Sequence, residues 1–169
     1  MLSESARMTT AEEARYRIDY PNSKPRATKV IALDPPSEAV VKRLAQGQWQ
    51  QASFFTSLKF DAPRSGEDWS MKAWLSDLAG RTKDLIDEVA AADLVVMVAS
   101  AGTKPKAAGV IAEACSVRKV MTTALIIGSE QSTDEEMSRT LASLRPYASM
   151  LVIASNDDYI EEMLVALRA

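Results

Sequence analysis

From Asp93 onward the chain alternates between strand-length apolar runs and stretches of helical period. Asp93–Ala99, Val120–Ile127 and Met150–Ala154 read as strands, and Pro105–Val117, Asp134–Leu144 and Asp158–Leu167 as helices. Runs such as Leu94–Ala99 are apolar almost throughout, so both faces of the strand must be covered. Strands of this kind, joined through helices, make right-handed parallel crossovers with helices on both sides of the sheet. Thr133 and Glu136 form a capping-box pair that fixes one helix start.

The first half follows the same rhythm less cleanly. Thr28–Leu33 reads as a strand, Ser37 as the N-cap of a helix with Val40, Val41 and Leu44 on its apolar stripe, and Ala52–Leu58 as a second strand. Lys59–Asp68 reads as a loop. Trp74, Leu78, Leu85, Ile86 and Val89 are spaced as one face of a long helix, from about Trp69 or Met71 to Ala91, with Gly80 as an interruption. The expected architecture is a three-layer α/β/α doubly wound (Rossmann-like), mostly parallel sheet. It forms a single domain over residues 27–169, after a flexible N-terminal arm over residues 1–26 that ends in loop composition.

Composition removes several function classes. The chain has no histidine, which excludes Ser-His and Cys-His nucleophile pairs and most zinc and iron sites, and no metal site is expected. Its one cysteine, Cys115, falls in an apolar helical pattern and reads as a buried thiol. A net charge of −3 with both signs interspersed gives no basic field for nucleic acid. No apolar run approaches the ~20 residues that span a bilayer, and no secretory leader is readable, so the expectation is a cytoplasmic protein without a membrane partner.

In a parallel sheet a ligand sits at the carboxyl ends of the strands, beside helix N-termini. Asp34–Ser37, Leu58–Trp69, Ser100–Lys106 and Gly128–Asp134 are the loops that qualify. Ser100–Lys106 combines a hydroxyl, small residues and two lysines. There Ser100, Gly102, Thr103, Lys104 and Lys106 are candidate ligands for a small anion, each charge or dipole contributing roughly 0.3–1 kcal/mol when exposed. Asp34-Pro35-Pro36 is the opposite case, a negative charge followed by two residues without an N–H donor.

Lys29–Leu33 with Ala39–Leu44 and Gly47, Ala92–Ala99 with Ala101-Gly102-Thr103 and Ala107–Glu113, and Leu151–Asp157 together resemble the nucleotide-binding domain of FtsZ and its tubulin-like relatives. The resemblance implies that Gly102 and Thr103 meet phosphate. It also implies that Glu135 and Arg139 match the family's Glu-x-x-x-Arg contacts to the nucleoside, and that Asn156 sits at the base edge. The family's glycine-rich first loop reads Asp34-Pro35-Pro36 here, so GTP turnover is not expected. The expected function is that of a non-catalytic domain of nucleotide-binding ancestry, acting through a protein partner or a homo-oligomer. It needs no cofactor, with weak nucleotide or phosphate binding at most. The alternative is a small-ligand binder or enzyme working through loop 100–106, with Ser100, Thr103, Lys104 and Glu135 around an anionic substrate.

Overall fold

The computed structural model describes residues 24–57, 74–78, 81–155 and 157–169. Seven strands form one sheet in the order β4-β3-β2-β1-β5-β6-β7. They are β1 (Thr28–Ala32), β2 (Ala52–Thr56), β3 (Trp74–Asp77), β4 (Thr82–Asp84), β5 (Leu94–Ser100), β6 (Met121–Ile127) and β7 (Met150–Ala154). The helices are α1 (Pro35–Leu44), α2 (Leu85–Ala90), α3 (Ala108–Arg118), α4 (Asp134–Leu144) and α5 (Asp157–Ala166), with a 3-10 turn at Arg145–Tyr147.

β2, β1, β5, β6 and β7 are all parallel, with β1 aligned to β2 by Thr28↔Ala52 and to β5 by Thr28↔Leu94. The doubly wound parallel sheet expected from the alternation is therefore present. β5 explains why its sequence is apolar without a break: Leu94–Ala99 are all buried, with alternate residues serving opposite layers. Val95, Met97 and Ala99 pack with residues of α2, α3 and α4, whereas Leu94, Val96 and Val98 pack with α1 and α5.

Cys115 is buried on the inner face of α3, as its pattern predicts, and burial pushes its thiol up to about 11. The flexible arm assigned to residues 1–26 falls mainly outside the described residues. At its end, Arg26 N–H donates to the Arg168 carbonyl at 2.8 Å. The expected loop Lys59–Asp68 lies outside them altogether. No helix among the described residues is long and apolar enough to cross a membrane.

One expectation fails. The segment read as a helix to Ala91 is instead an antiparallel hairpin, β3 and β4, followed by the short α2. The apolar residues that suggested a single stripe serve two different layers. Leu78 packs against the α1 and α5 side, while Leu85 and Val89 belong to the other. A straight helix cannot face both. Two aspartates fix the alternative. Asp77 accepts from the Arg81 backbone N–H at 2.8 Å and from its Nε at 2.7 Å across the hairpin turn. Asp84 caps α2 by accepting from the N–H of Ile86 at 2.8 Å and of Asp87 at 3.4 Å. Two smaller corrections follow the same logic: the N-cap of α1 is Asp34 with Ser37 at N3, and α3 begins at Ala108 rather than Pro105.

Asp84→Ala separates the two readings by sign. In a helix interior alanine would stabilise by up to about 0.7 kcal/mol. At the observed N-cap the substitution costs about 1 kcal/mol, so urea unfolding is expected to show a lower midpoint.

Candidate functional site

The strand order reverses direction between β1 and β5, and the crevice beyond their carboxyl ends is where a doubly wound sheet takes its ligand. Here that position is filled from within. β1 continues past Ala32, Leu33 N–H donating to Val98 O at 2.9 Å, and delivers Asp34 to the end of β5. Asp34 has extended backbone (φ −147°, ψ 166°) and begins α1. The residue is 5% exposed.

Four donors converge on it. Oδ1 accepts from Ser37 N–H at 2.9 Å and from the Ser100 hydroxyl at 3.0 Å. Oδ2 accepts from Ser100 N–H at 2.7 Å and lies 3.0 Å from the Thr103 hydroxyl, which shares its single proton between Asp34 and the Ser100 carbonyl at 2.8 Å.

The N-terminus of α1 consequently has no free donor. Of the groups a helix start normally leaves open, two are the prolines at its first two positions, which carry no N–H. The third, Ser37 N–H, is bound by Asp34. The fourth, Asp34 N–H, donates to the Ser37 hydroxyl at 3.2 Å. The prolines suit this place, since their fixed φ matches the first helical turn.

The facing loop is equally closed. Ala101 N–H donates to Ile127 O at 2.9 Å and Thr103 N–H to Ser100 O at 3.3 Å. Gly102, at φ +89° where a side chain is strained, donates its N–H to the Thr140 hydroxyl at 3.0 Å. Thr140 returns its own proton to Thr103 O at 3.0 Å. Every backbone N–H from Ser100 to Thr103 is thereby satisfied inside the chain.

The structure thus divides the expected anion site. Ser100 and Thr103 face Asp34, and Gly102 is tied to α4. Lys104 and Lys106 are exposed and line a separate open groove of about 420 Å³, with Gly109 of α3, Ala142 and Ser143 of α4, and Pro146 and Tyr147 after it. Glu135 and Arg139 pair with each other at 3.0 Å on the solvent side of α4, one turn apart, and neither has a hydrogen bond to loop 100–106. Its neighbour Glu136 is the acid of α4 that lies beside Gly102, a Cβ there standing 3.5 Å from Oε1, while Oε2 closes the capping box on Thr133 N–H at 3.0 Å. Asn156 lies outside the described residues.

Two residues that matter here were not singled out from sequence as binding anything. Asp34 was legible only as a misplaced charge, although an acid before Pro-Pro is a strong N-cap signal. Thr140 is fully buried between Met137 and Leu144 on the inner stripe of α4, and a lone hydroxyl on an apolar stripe was the available clue.

Removing the Asp34 carboxylate leaves several enclosed donors unmatched, each costing about 1–3 kcal/mol, besides about 1 kcal/mol for the lost cap. Asp34→Ala is expected to lower the free energy of unfolding by about 3 kcal/mol or more, and Asp34→Asn by roughly half as much, because one oxygen remains to accept. A loss below about 0.5 kcal/mol in urea titration, the range of an ordinary surface change, would contradict this geometry.

No protein-family model matches the chain, and no curated protein matches it. Among solved structures, the apo form of translation elongation factor SelB from Methanococcus maripaludis is 13% identical with a TM-score of 0.47. That alignment covers 85% of this chain and 36% of the factor, so this chain spans little more than a third of that protein. A candidate flavoprotein from Bacteroides eggerthii is 11% identical with a TM-score of 0.49, over 85% of this chain and 99% of that one. Neither points to FtsZ or tubulin.

Proposed function

We propose that this domain is a non-catalytic, Rossmann-like module of nucleotide-binding ancestry that works by pairing with a second copy of itself along β7. The observation that carries this reading is the contrast between the two edges of the sheet. β4 is three residues long and carries Lys83 and Asp84, the features that protect an edge from pairing. β7 reads Met150-Leu151-Val152-Ile153-Ala154, with no charge and no proline. Among the described residues nothing pairs with its outer side. A five-residue apolar edge of this kind is a template for pairing with another chain.

Its flanks agree. Met150 is 38% and Ile153 50% exposed, and the alternation of a strand places them on opposite faces. Tyr147 and Met121 are exposed near the same end of the sheet. Tyrosine and methionine are enriched at interfaces. A two-fold axis through Val152 makes the contact self-complementary: Met150 meets the partner's Ala154, Leu151 meets its Ile153, and no charge is buried. The closed switch point supports the same reading, because Asp34 uses the donors that a phosphate would require.

A second reading places a small anion, or a partner's acidic group, in the groove beside Lys104 and Lys106. It is favoured by those two exposed lysines, which make no ion pair among the described residues.

Sedimentation equilibrium on the whole chain distinguishes them. The edge reading expects a dimer, with the dissociation constant raised more than tenfold, or about 1.4 kcal/mol, by Met150→Lys with Ile153→Lys, and unchanged by Lys104→Glu with Lys106→Glu. A monomer at all concentrations, or a dimer indifferent to the edge lysines, would overturn it. A dimer lost only with the Lys104 and Lys106 changes would move the contact to the groove.

A further inference from the structure

At the end of the sheet away from Asp34, Pro25 before β1, the segment Gln48–Gln50 before β2, Val165 in the last turn of α5 and Arg168 and Ala169 after it line a half-open pocket of about 260 Å³. Trp49 makes a fixed wall. Its indole N–H donates to the Leu44 carbonyl at 2.6 Å, and its ring packs tilted against Phe54 with centroids 5.8 Å apart.

Arg168 is the unusual member. Its φ of +65° is the left-handed conformation that ends many helices and normally selects glycine. The backbone around it is fully engaged: its N–H donates to Val165 O at 2.9 Å, its carbonyl accepts from Arg26 at 2.8 Å, and Ala169 N–H reaches back to Leu164 O at 3.1 Å. The side chain is not. Guanidinium Nη1 is enclosed and has no acceptor among the described residues. A guanidinium does not shed its proton when buried, so an enclosed N–H of this kind calls for an oxygen, and none is supplied among the described residues.

We propose that the pocket binds the carboxylate of a small organic acid, held by Arg168, with the acid's apolar part against Trp49, Pro25 and Val165. The planar fork of arginine matches a carboxylate, and one cation balances one negative charge. Pro25, Trp49, Val165 and Ala169 supply the apolar part of the lining and Gln48, Gln50 and Arg168 the polar part, and a single cation suits a monocarboxylate better than a phosphate dianion. The volume is below the roughly 300–1,000 Å³ of pockets for drug-sized ligands, which limits the guest to a few carbons or one ring.

The test is an NMR titration of the whole chain with propionate, benzoate and inorganic phosphate, following the Trp49 indole N–H and the Arg168 Nε–H. The expected result is a saturable shift of both signals with a carboxylate, and a weaker response or none with phosphate. Arg168→Gly is expected to lose that response while melting no lower than the parent, since glycine accepts the left-handed backbone; should it unfold, Arg168→Gln serves for the same loss. Arg168→Lys is expected to weaken binding more than tenfold. No saturable shift with either carboxylate, a shift that survives loss of the arginine, or a response confined to phosphate would each overturn the proposal.

Discussion

The carboxylate of Asp34 joins the two halves of the sheet at the point where the strand order turns. One half contributes the end of β1 and the start of α1, the other the end of β5 and the loop toward α3, and the link is three hydrogen bonds to one side chain, from Ser100 N–H, the Ser100 hydroxyl and the Thr103 hydroxyl. A buried carboxylate is costly unless donors surround it, and the same donors would be costly without it. Each side therefore enforces the other. The Pro-Pro step, the hydroxyls of Ser37, Ser100 and Thr103, and the left-handed Gly102 all follow from placing a negative group there permanently.

This accounts for the rest of the molecule's surface. A doubly wound sheet usually offers a mobile anion the helix N-termini at its carboxyl end, and here α1 and loop 100–103 have no donor to spare. The lysines that sequence proximity placed beside that site look instead into the groove against Tyr147. Among the described residues, the outer side of β7 and the Nη1 of Arg168 are left without partners.

The fold was legible from Asp93 to the last helix because fully buried strands and amphipathic helices leave different periods in sequence. β7 and α4 were placed at their observed bounds. Between Trp74 and Ala91 the period misled, since Leu78, Leu85 and Val89 line up on a helical wheel yet pack on opposite faces of the sheet. What decided that segment was the local chemistry of Asp77 and Asp84, which a count of apolar residues does not weigh. The site was legible as a place but not as a state. Ser100, Gly102 and Thr103 were read together as groups awaiting an outside anion; Ser100 and Thr103 meet Asp34 instead, which was read as an obstacle 66 residues before Ser100, and Gly102 meets Thr140. Glu135 and Arg139 point to each other because one turn of helix puts them in reach, a spacing that serves surface pairing as well as any ligand.

The most direct test of the internal anion is to remove it without removing the cap. Asp34→Gly retains nearly all of the N-cap preference while deleting the carboxylate. In the parent chain the amide signals of Ser37 and Ser100 should be unmoved by phosphate, and in the glycine variant both should shift saturably as phosphate takes the vacated donors. Saturable phosphate shifts of those amides in the parent chain, equal to those in the variant, would show that Asp34 does not fill the site.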